Sequence, residues 1–339
     1  MKEMDWFERL VGFREGPYDE TRNNLQISGG RLISKVNGAS FRTGALEIRS
    51  LSELRTKARA TRSKGRLKLS QVVGDVRIMH RDPANVGALF QVASQFNLLE
   101  MIGPSITPEH GVTRYHGDPT QGPACAIAAG AATIFRNYFA PVAEEIGQRS
   151  DRQIDTVADL AQQLAEGLST DPQSLWDMKN GYALPCKTSL GAITEYLRGL
   201  DDDGRDKLRE KLQIGLHWDV EATEAIGPEK PIVSQAFCSA MPISYSGISS
   251  EAWDPLGSLI LEAAYEASLW AGIINSHQSR IVYLTMLGGG AFGNPEEWIY
   301  AAMRRAISLV RDRDLDVRIV SHRRPSSNVE KLVREFAAD

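Results

Sequence analysis

The chain has 339 residues, 42% of them hydrophobic and 24% charged, enough for one large or two ordinary globular domains. Its net charge of −4 argues against a general nucleic-acid-binding protein, and no stretch approaches the length of a membrane span. The three cysteines are widely spaced and form no CxxC pair, so we expect neither a disulfide framework nor a metal site, and no cofactor. The first nine residues lack the apolar core of a signal peptide, which favours a cytoplasmic protein.

Residues 1–70 are predicted to form a small β-rich N-terminal extension. Short strand candidates begin at Leu25, Arg31 and Ala45, and the turn signals Gly29-Gly30 and Asn37-Gly38 separate them. Residues 51–60 follow with the apolar spacing of a short helix.

Residues 71–339 alternate between buried strands and helices. Strands are predicted at 67–76 and 88–97, followed by a long loop and a small-residue helix that starts at Gly122-Pro123. Residues 142–211 are more polar and have helical spacing, so they are interpreted as a helical insertion. The later elements are strands at 212–220, 231–242, 280–287 and 315–321 and helices at 254–271 and 295–311. This order predicts an α/β fold, a three-layer α/β/α sandwich with a mixed sheet.

The most informative segment runs from Arg280 to Ile299, where an apolar strand breaks into Gly288-Gly-Gly-Ala-Phe-Gly-Asn-Pro295 before a helix. Glycines let the backbone approach a ligand, and free N–H groups with a helix N-terminus attract phosphate. The pattern predicts a cradle for a diphosphate. The alternative is a tight connection without a ligand.

Three segments of the region 72–322 resemble the macrodomains, the ADP-ribose-binding α/β/α family. Val73-Gly-Asp75-Val is similar to the family's Gly-Asp-Ile-Thr, and the strand ending at Asn97 resembles the one ending in Asn-Ala-Ala-Asn. The loop 287–295 resembles the second phosphate loop and is close to that of poly(ADP-ribose) glycohydrolases. The resemblance implies that Asp75 contacts adenine, Asn97 the distal ribose, and Gly288, Gly289, Gly290, Ala291, Phe292, Gly293 and Asn294 the diphosphate and distal ribose.

The first phosphate loop departs from this pattern. In place of a glycine run the chain has Gly117-Asp-Pro-Thr-Gln121-Gly122-Pro123, and the glutamate pair of poly(ADP-ribose) glycohydrolases is absent. Gln121 and Gly122 remain candidates for ligand contact. A hydrolase built on this chain therefore needs an acidic group from elsewhere.

Asp219 and Glu221 are the predicted catalytic carboxylates, with Asp118 in reserve. They stand two apart in a strand candidate, on one face, where a carboxylate stabilises an oxocarbenium-like transition state or moves a proton. Two carboxylates also suit a guanidinium, which makes modified arginine an attractive substrate. The alternative is an exposed strand edge.

We therefore expect an ADP-ribosylhydrolase that binds ADP-ribose and removes it from a modified protein side chain, with no nucleic-acid or membrane partner. The alternatives are a non-catalytic module that binds ADP-ribose or a related nucleotide, and a structural protein that has lost its ligand.

Overall fold

The computed structural model describes residues 4–61 and 63–337. Fourteen strands are present in these residues: β1 Leu25–Ser28, β2 Arg31–Ser34, β3 Ser40–Arg42, β4 Ala45–Ser50, β5 Lys68–Val73, β6 Leu89–Ala93, β7 Pro141–Val142, β8 Glu145–Ile146, β9 Asp177–Lys179, β10 Tyr182–Leu184, β11 Gln213–Glu221, β12 Ile232–Cys238, β13 Ile281–Leu284 and β14 Asp316–Ser321. Twelve α-helices accompany them there: α1 Trp6–Val11, α2 Tyr18–Asn23, α3 Leu51–Ala60, α4 Val76–Arg81, α5 Gln121–Ala128, α6 Gly130–Tyr138, α7 Ala158–Leu168, α8 Lys187–Gly199, α9 Asp202–Arg209, α10 Asp254–Asn275, α11 Glu296–Leu309 and α12 Ser327–Ala337.

A seven-stranded mixed sheet forms the centre, in the order β4-β11-β12-β6-β13-β14-β5. The five strands from β12 to β5 are parallel, whereas β11 runs antiparallel to both β12 and β4. The carboxyl ends of the five parallel strands therefore meet at one edge of the sheet, and the carboxyl end of β11 lies at the other.

Helices cover both faces of this sheet, which confirms the predicted three-layer α/β/α fold. In β13, Val282 and Leu284 pack into the core that contains α10, while Tyr283 packs on the opposite side with Ala129 and Ala132 near the α5–α6 junction. Alternate side chains of a strand point to opposite faces, and a strand covered twice is apolar on both.

The predicted insertion, 142–211, contains α7, α8, α9 and two short hairpins, β7–β8 and β9–β10. The predicted N-terminal extension contains helices α1 and α2 as well as strands, and its last strand, β4, pairs with β11 at the edge of the central sheet. The domain division at residue 70 stays a prediction.

Several predicted elements differ in length from those observed. The strand predicted at 88–97 ends at Ala93, because the chain then turns so that the N–H of Gln95 bonds the carbonyl of Leu99. The single small-residue helix is two helices, broken at Ala129, whose φ of −112° and ψ of 55° are not helical.

The 22-residue helix α10 is buried along almost its whole length, and its one fully buried carboxylate is held by ion pairs. Glu266 accepts hydrogen bonds from Arg55, Arg305 and the indole of Trp270. Burial alone would raise the pKa of this carboxyl, but the three donors hold it below its usual value.

We expect Glu266→Ala to destabilise the fold by roughly 3–5 kcal/mol, because it removes the buried partner of two arginines. Glu335 pairs with Arg304 at the surface, so the matched variant Glu335→Ala is expected to cost less than about 1 kcal/mol. Urea unfolding of both variants measures the difference. Equal losses of unfolding free energy in the two variants would contradict the structural role of Glu266 in holding α10.

Candidate active site

A cleft of about 550 Å³ opens at the carboxyl ends of the parallel strands. The residues that line it include Ala93 at the end of β6, Ala240 after β12, Thr285 after β13, Val320 near the end of β14 and Gly74 after β5. Ligands of open α/β sheets bind at this edge. The order of the strands places the glycine-rich loop and the start of α5 near the middle of the cleft.

Four residues of the glycine-rich loop line the cleft and have unpaired backbone N–H groups. Gly288, Gly290, Ala291 and Phe292 line it, and within residues 4–61 and 63–337 none of their N–H groups has a hydrogen-bond acceptor. In contrast, the N–H groups of Gly289 and Gly293 bond the carbonyls of Met286 and Gly290, and these two residues do not line the cleft. Some backbone N–H groups of the loop thus stabilise its own conformation, and the others remain free to bind an anion.

The conformation of this loop explains two of its residues. Gly288 has a φ of +74°, and a Cβ there would lie 2.5 Å from the Cβ of Ala240, so a larger residue is excluded. Asn294 is buried and does not line the cleft. Its Nδ2 donates to the carbonyl oxygens of Met241 and Gly288. Asn294 therefore ties the loop to the segment that follows β12.

The start of α5 forms the opposite wall. Its first residues, Gln121 and Gly122, line the cleft, and no side chain caps their N–H groups. These unpaired donors and the helix dipole give this wall partial positive charge. Two of the predicted ligand-binding residues thus lie across the cleft from the glycine-rich loop.

The side chain of Gln121 has a structural use that the sequence did not indicate. Its Oε1 accepts from the N–H of Ala93 at 2.9 Å, and its Nε2 donates to the carbonyl of Gln91 at 2.8 Å. The amide thus continues the hydrogen bonding of β6 and is not available to a ribose. Gln121 contributes its backbone to the cleft.

Asp75 and Asp118 both line the cleft. Asp75 is the N-cap of α4, where its Oδ1 accepts from the N–H of Arg77 at 2.8 Å. Asp118 holds the turn before α5, where its Oδ1 accepts from the N–H of Thr120 at 2.9 Å. Each carboxylate has a second oxygen that faces no hydrogen-bond donor among the described residues.

The prediction that Asn97 contacts the ligand is wrong in its geometry. Asn97 is fully buried behind the cleft wall, where its Nδ2 donates to Gln153 and its Oδ1 accepts from the N–H of Leu99. The cause is the early end of β6, which sends the chain into a tight turn with Leu98 at a φ of +63°.

Asp219 and Glu221 are likewise not brought to the cleft. They lie at the carboxyl end of β11, and because β11 is antiparallel to β12, that end meets the start of β12, where Glu221 faces Ile232. Asp219 accepts from Gln278 and Glu221 from the N–H of Arg42. A β-bulge between His217 and Val220 also breaks their alternation. The candidate site is therefore built without them.

A carboxylate that the sequence did not single out, Glu100, lies at the floor of the cleft. It is 2% exposed, and a Cβ at Gly122 would lie 3.2 Å from its Cγ. Its Oε1 accepts from Arg136 at 3.2 Å, whereas its Oε2 has no hydrogen-bond partner among the described residues. Glu100 thus stands beside the first turn of α5, the place at which the glutamate pair is missing.

The surroundings of Glu100 perturb its ionisation. Burial raises the pKa of this carboxyl to about 7, against the opposing effects of Arg136 and the Tyr115 hydroxyl. Arg136 is itself fully buried, with its guanidinium 3.9 Å above the ring centre of Phe237 and its Nε bonded to the carbonyl of Leu98. A carboxyl in this state gives or takes a proton near neutral pH.

Three aromatic rings close one end of the cleft: Tyr182 from β10, Tyr245 from the turn after β12, and Phe292 from the glycine-rich loop. Their ring centres lie 5.1–5.9 Å apart at tilted to perpendicular angles. The Tyr182 hydroxyl donates to the carbonyl of Met101, the residue after Glu100. The aromatic end and the buried carboxylate are therefore neighbours.

Among residues 4–61 and 63–337, no three His, Cys, Asp or Glu side chains come together as a metal site. Nor does any helix in that part of the chain have both the length and the apolar character needed to cross a membrane.

We expect Gly122→Ala to destabilise the protein by about 1–3 kcal/mol, because its Cβ would lie 2.0 Å from the carbonyl oxygen of Ala93. Gly117, in the same loop, has open space around the equivalent position, so Gly117→Ala is expected to stay within about 0.5 kcal/mol of the unmodified chain. Thermal unfolding compares the two. Similar stabilities would show that α5 does not pack tightly on β6.

Comparisons with known proteins give structural likenesses only. No protein-family model and no curated protein matches this chain. It is similar to the structure of poly(ADP-ribose) glycohydrolase from Deinococcus radiodurans in complex with ADP-ribose, at 10% identity over 87% of this chain and 95% of that one, with a TM-score of 0.46. It is also similar to the enzyme from Thermomonospora curvata bound to the inhibitor ADP-HPD, at 12% identity over 90% and 93% of the two chains, with a TM-score of 0.41.

Proposed function

We propose that this protein binds ADP-ribose in the cleft and hydrolyses the glycosidic bond at C1″ of an ADP-ribose conjugate. The observation that carries the proposal is the set of unpaired N–H groups at Gly288, Gly290, Ala291 and Phe292, four residues that line the cleft together with the uncapped first turn of α5. Donors arriving from two walls suit a diphosphate, whose oxygens accept hydrogen bonds on both sides.

The two ends of the cleft fit the two halves of the ligand. Asp75 lies beside β5, at one edge of the sheet, and its free oxygen suits the amino group of adenine. Glu100 and the aromatic rings lie beyond the diphosphate donors, where the distal ribose would reach. The macrodomain-like motifs around Asp75 and in the loop 287–295 support the same orientation.

Glu100 is proposed as the catalytic carboxylate. Its Oε2 is unpaired and its pKa is raised to about 7 by burial, so the protonated and ionised forms are both populated near neutral pH. When protonated, the carboxyl can donate to the departing atom on C1″; when ionised, it can activate water or stabilise the oxocarbenium-like transition state. Arg136 is the proposed positioning residue, since it holds Oε1.

A modified protein side chain is the proposed source of the ADP-ribose. The prediction that this side chain is arginine depended on the pair Asp219 and Glu221. That pair lies at the opposite edge of the sheet, so no residue of the cleft supports arginine. A cytoplasmic location is part of the proposal, and the free thiols Cys125, Cys186 and Cys238 are compatible with a reducing compartment.

The second candidate function is a module that binds ADP-ribose without cleaving it. The observation in its favour is the burial of Glu100, whose carboxylate is 2% exposed and already paired through one oxygen. This candidate shares the diphosphate donors and differs only in turnover.

We expect ADP-ribose to stabilise the protein, by about 2.7 kcal/mol at a concentration one hundred times its dissociation constant. With a mono-ADP-ribosylated protein as substrate, Glu100→Gln is expected to lower the rate of ADP-ribose release by about 10²–10⁴-fold while ADP-ribose binding is retained. Release is followed by chromatography and binding by calorimetry.

Asp219→Asn is the matched control for this experiment, because Asp219 has a φ of +55°, which asparagine tolerates, and it lies away from the cleft. Its rate should equal that of the unmodified chain. Binding without turnover in the unmodified chain would favour the module, and no binding would reject the proposed function altogether.

The rate of release from a substrate whose leaving atom needs a proton should fall as pH rises through about 7, since Glu100 must be protonated to donate. Among its neighbours, Tyr115 and Cys125 have pKa values raised well above their usual range by burial, so they keep their protons. Arg136 stays charged. A rate independent of pH between 6 and 8 would contradict the acid role of Glu100.

A further inference from the structure

The aromatic end of the cleft is built from three separate parts of the chain. Tyr182 belongs to the hairpin β9–β10 of the insertion, Tyr245 to the turn after β12, and Phe292 to the glycine-rich loop. Tyr245 is 37% exposed and Phe292 half-buried, so both present ring surface to the cleft. Rings held at 47–80° to one another offer several faces to one planar group.

The position of these rings relates them to the bond that would be cleaved. Phe292 carries the last of the diphosphate-facing N–H groups, so its ring begins where the distal ribose would lie. The Tyr182 hydroxyl bonds the carbonyl next to Glu100 at 2.8 Å. With ADP-ribose bound in the proposed orientation, the rings would surround the space into which a group attached to C1″ projects.

Burial raises the pKa of the Tyr182 phenol, Tyr245 raises it further, and the Asp118 carboxylate, which lines the same cleft, lies near enough to raise it as well. Three basic residues that line the cleft, Arg77, His322 and Arg323, follow β5 and β14 at the opposite end, beside Asp75. The fourth, His116, precedes Asp118 on the exposed loop. Aromatic faces next to a carboxylate attract a flat cation.

We propose that this end of the cleft binds the nicotinamide ring of NAD⁺ and that the protein hydrolyses NAD⁺ to ADP-ribose and nicotinamide. The inference rests on the proposed function, because the nicotinamide reaches Tyr182, Tyr245 and Phe292 only when the ADP-ribose part of NAD⁺ occupies the rest of the cleft. The pyridinium ring is planar and carries its positive charge at the nitrogen bonded to C1″.

A guanidinium fits this end less well than a pyridinium. Guanidinium recognition favours carboxylates that accept through both oxygens. Here Asp118 has one oxygen bonded to the N–H of Thr120 and Glu100 has one bonded to Arg136. The charged nitrogen of a pyridinium carries no N–H and needs no hydrogen-bond acceptor. The faces of aromatic rings can stabilise its positive charge instead.

The reaction requires no further reagent. The bond between C1″ and the pyridinium nitrogen breaks, and its electron pair stays on that nitrogen, which leaves nicotinamide neutral. The oxygen of a water molecule bonds to C1″, and the water proton passes to the Glu100 carboxylate and then to solvent. Glu100 acts here as an ionised base, so this rate should rise with pH through about 7.

Binding is tested by calorimetry with carba-NAD⁺, whose pyridinium cannot be released by hydrolysis, and with NADH, whose nicotinamide ring is neutral. We expect carba-NAD⁺ to bind about tenfold more tightly than NADH. Tyr245→Leu should abolish this preference and Tyr245→Phe should retain it, and the affinity of each variant for ADP-ribose is measured as the reference.

Turnover is tested by following nicotinamide release from NAD⁺ by chromatography, with Glu100→Gln expected to reduce it at least about 100-fold. Any one of three results would overturn the inference: equal affinities for carba-NAD⁺ and NADH, a preference that survives in Tyr245→Leu, or no nicotinamide release. The proposed function would still stand in these cases if ADP-ribose binds. Failure of ADP-ribose itself to bind would reject both.

Discussion

The cleft depends on the close contact between the first turn of α5 and the end of β6. Gln121 bonds the backbone of β6 through both ends of its amide, and Gly122 lies so near the carbonyl of Ala93 that no side chain fits. This contact brings the unpaired N–H groups of α5 to the strand ends and leaves room beneath them for Glu100.

Two buried glutamates show how similar burial gives different chemistry. Glu266 has both oxygens bonded to arginines and an indole, and these donors hold its pKa down despite burial. Glu100 has one oxygen paired and one free, and burial raises its pKa to about 7. The first is a structural anchor with a fixed charge. The second keeps its ionisation responsive, which a group that transfers protons requires.

The sequence was sufficient for the features that depend on local pattern. The alternation of apolar strands and helices predicted the three-layer sandwich, and the glycines of 288–293 predicted the loop with unpaired donors. It was insufficient where strand direction decides position: β11 looks like its neighbours in sequence, but its antiparallel course takes Asp219 and Glu221 to the far edge. Asn97 was misplaced because Leu98 turns the chain early.

One sequence feature could have indicated Glu100. It is a lone carboxylate within the apolar run Leu98 to Ile102, a pattern that is typical of a buried and paired acid.

The hairpin β9–β10 gives the insertion a part in the cleft that its position in the chain does not suggest. Tyr182 reaches from this hairpin to the carbonyl of Met101, whereas the diphosphate donors come from 288–292 and α5. The wall proposed to lie near the departing group and the walls proposed to hold the nucleotide are thus encoded in different stretches of sequence. Under the proposed function, a substitution in the insertion could alter which groups this end of the cleft accepts while the loop 288–292 and the start of α5 stay unchanged.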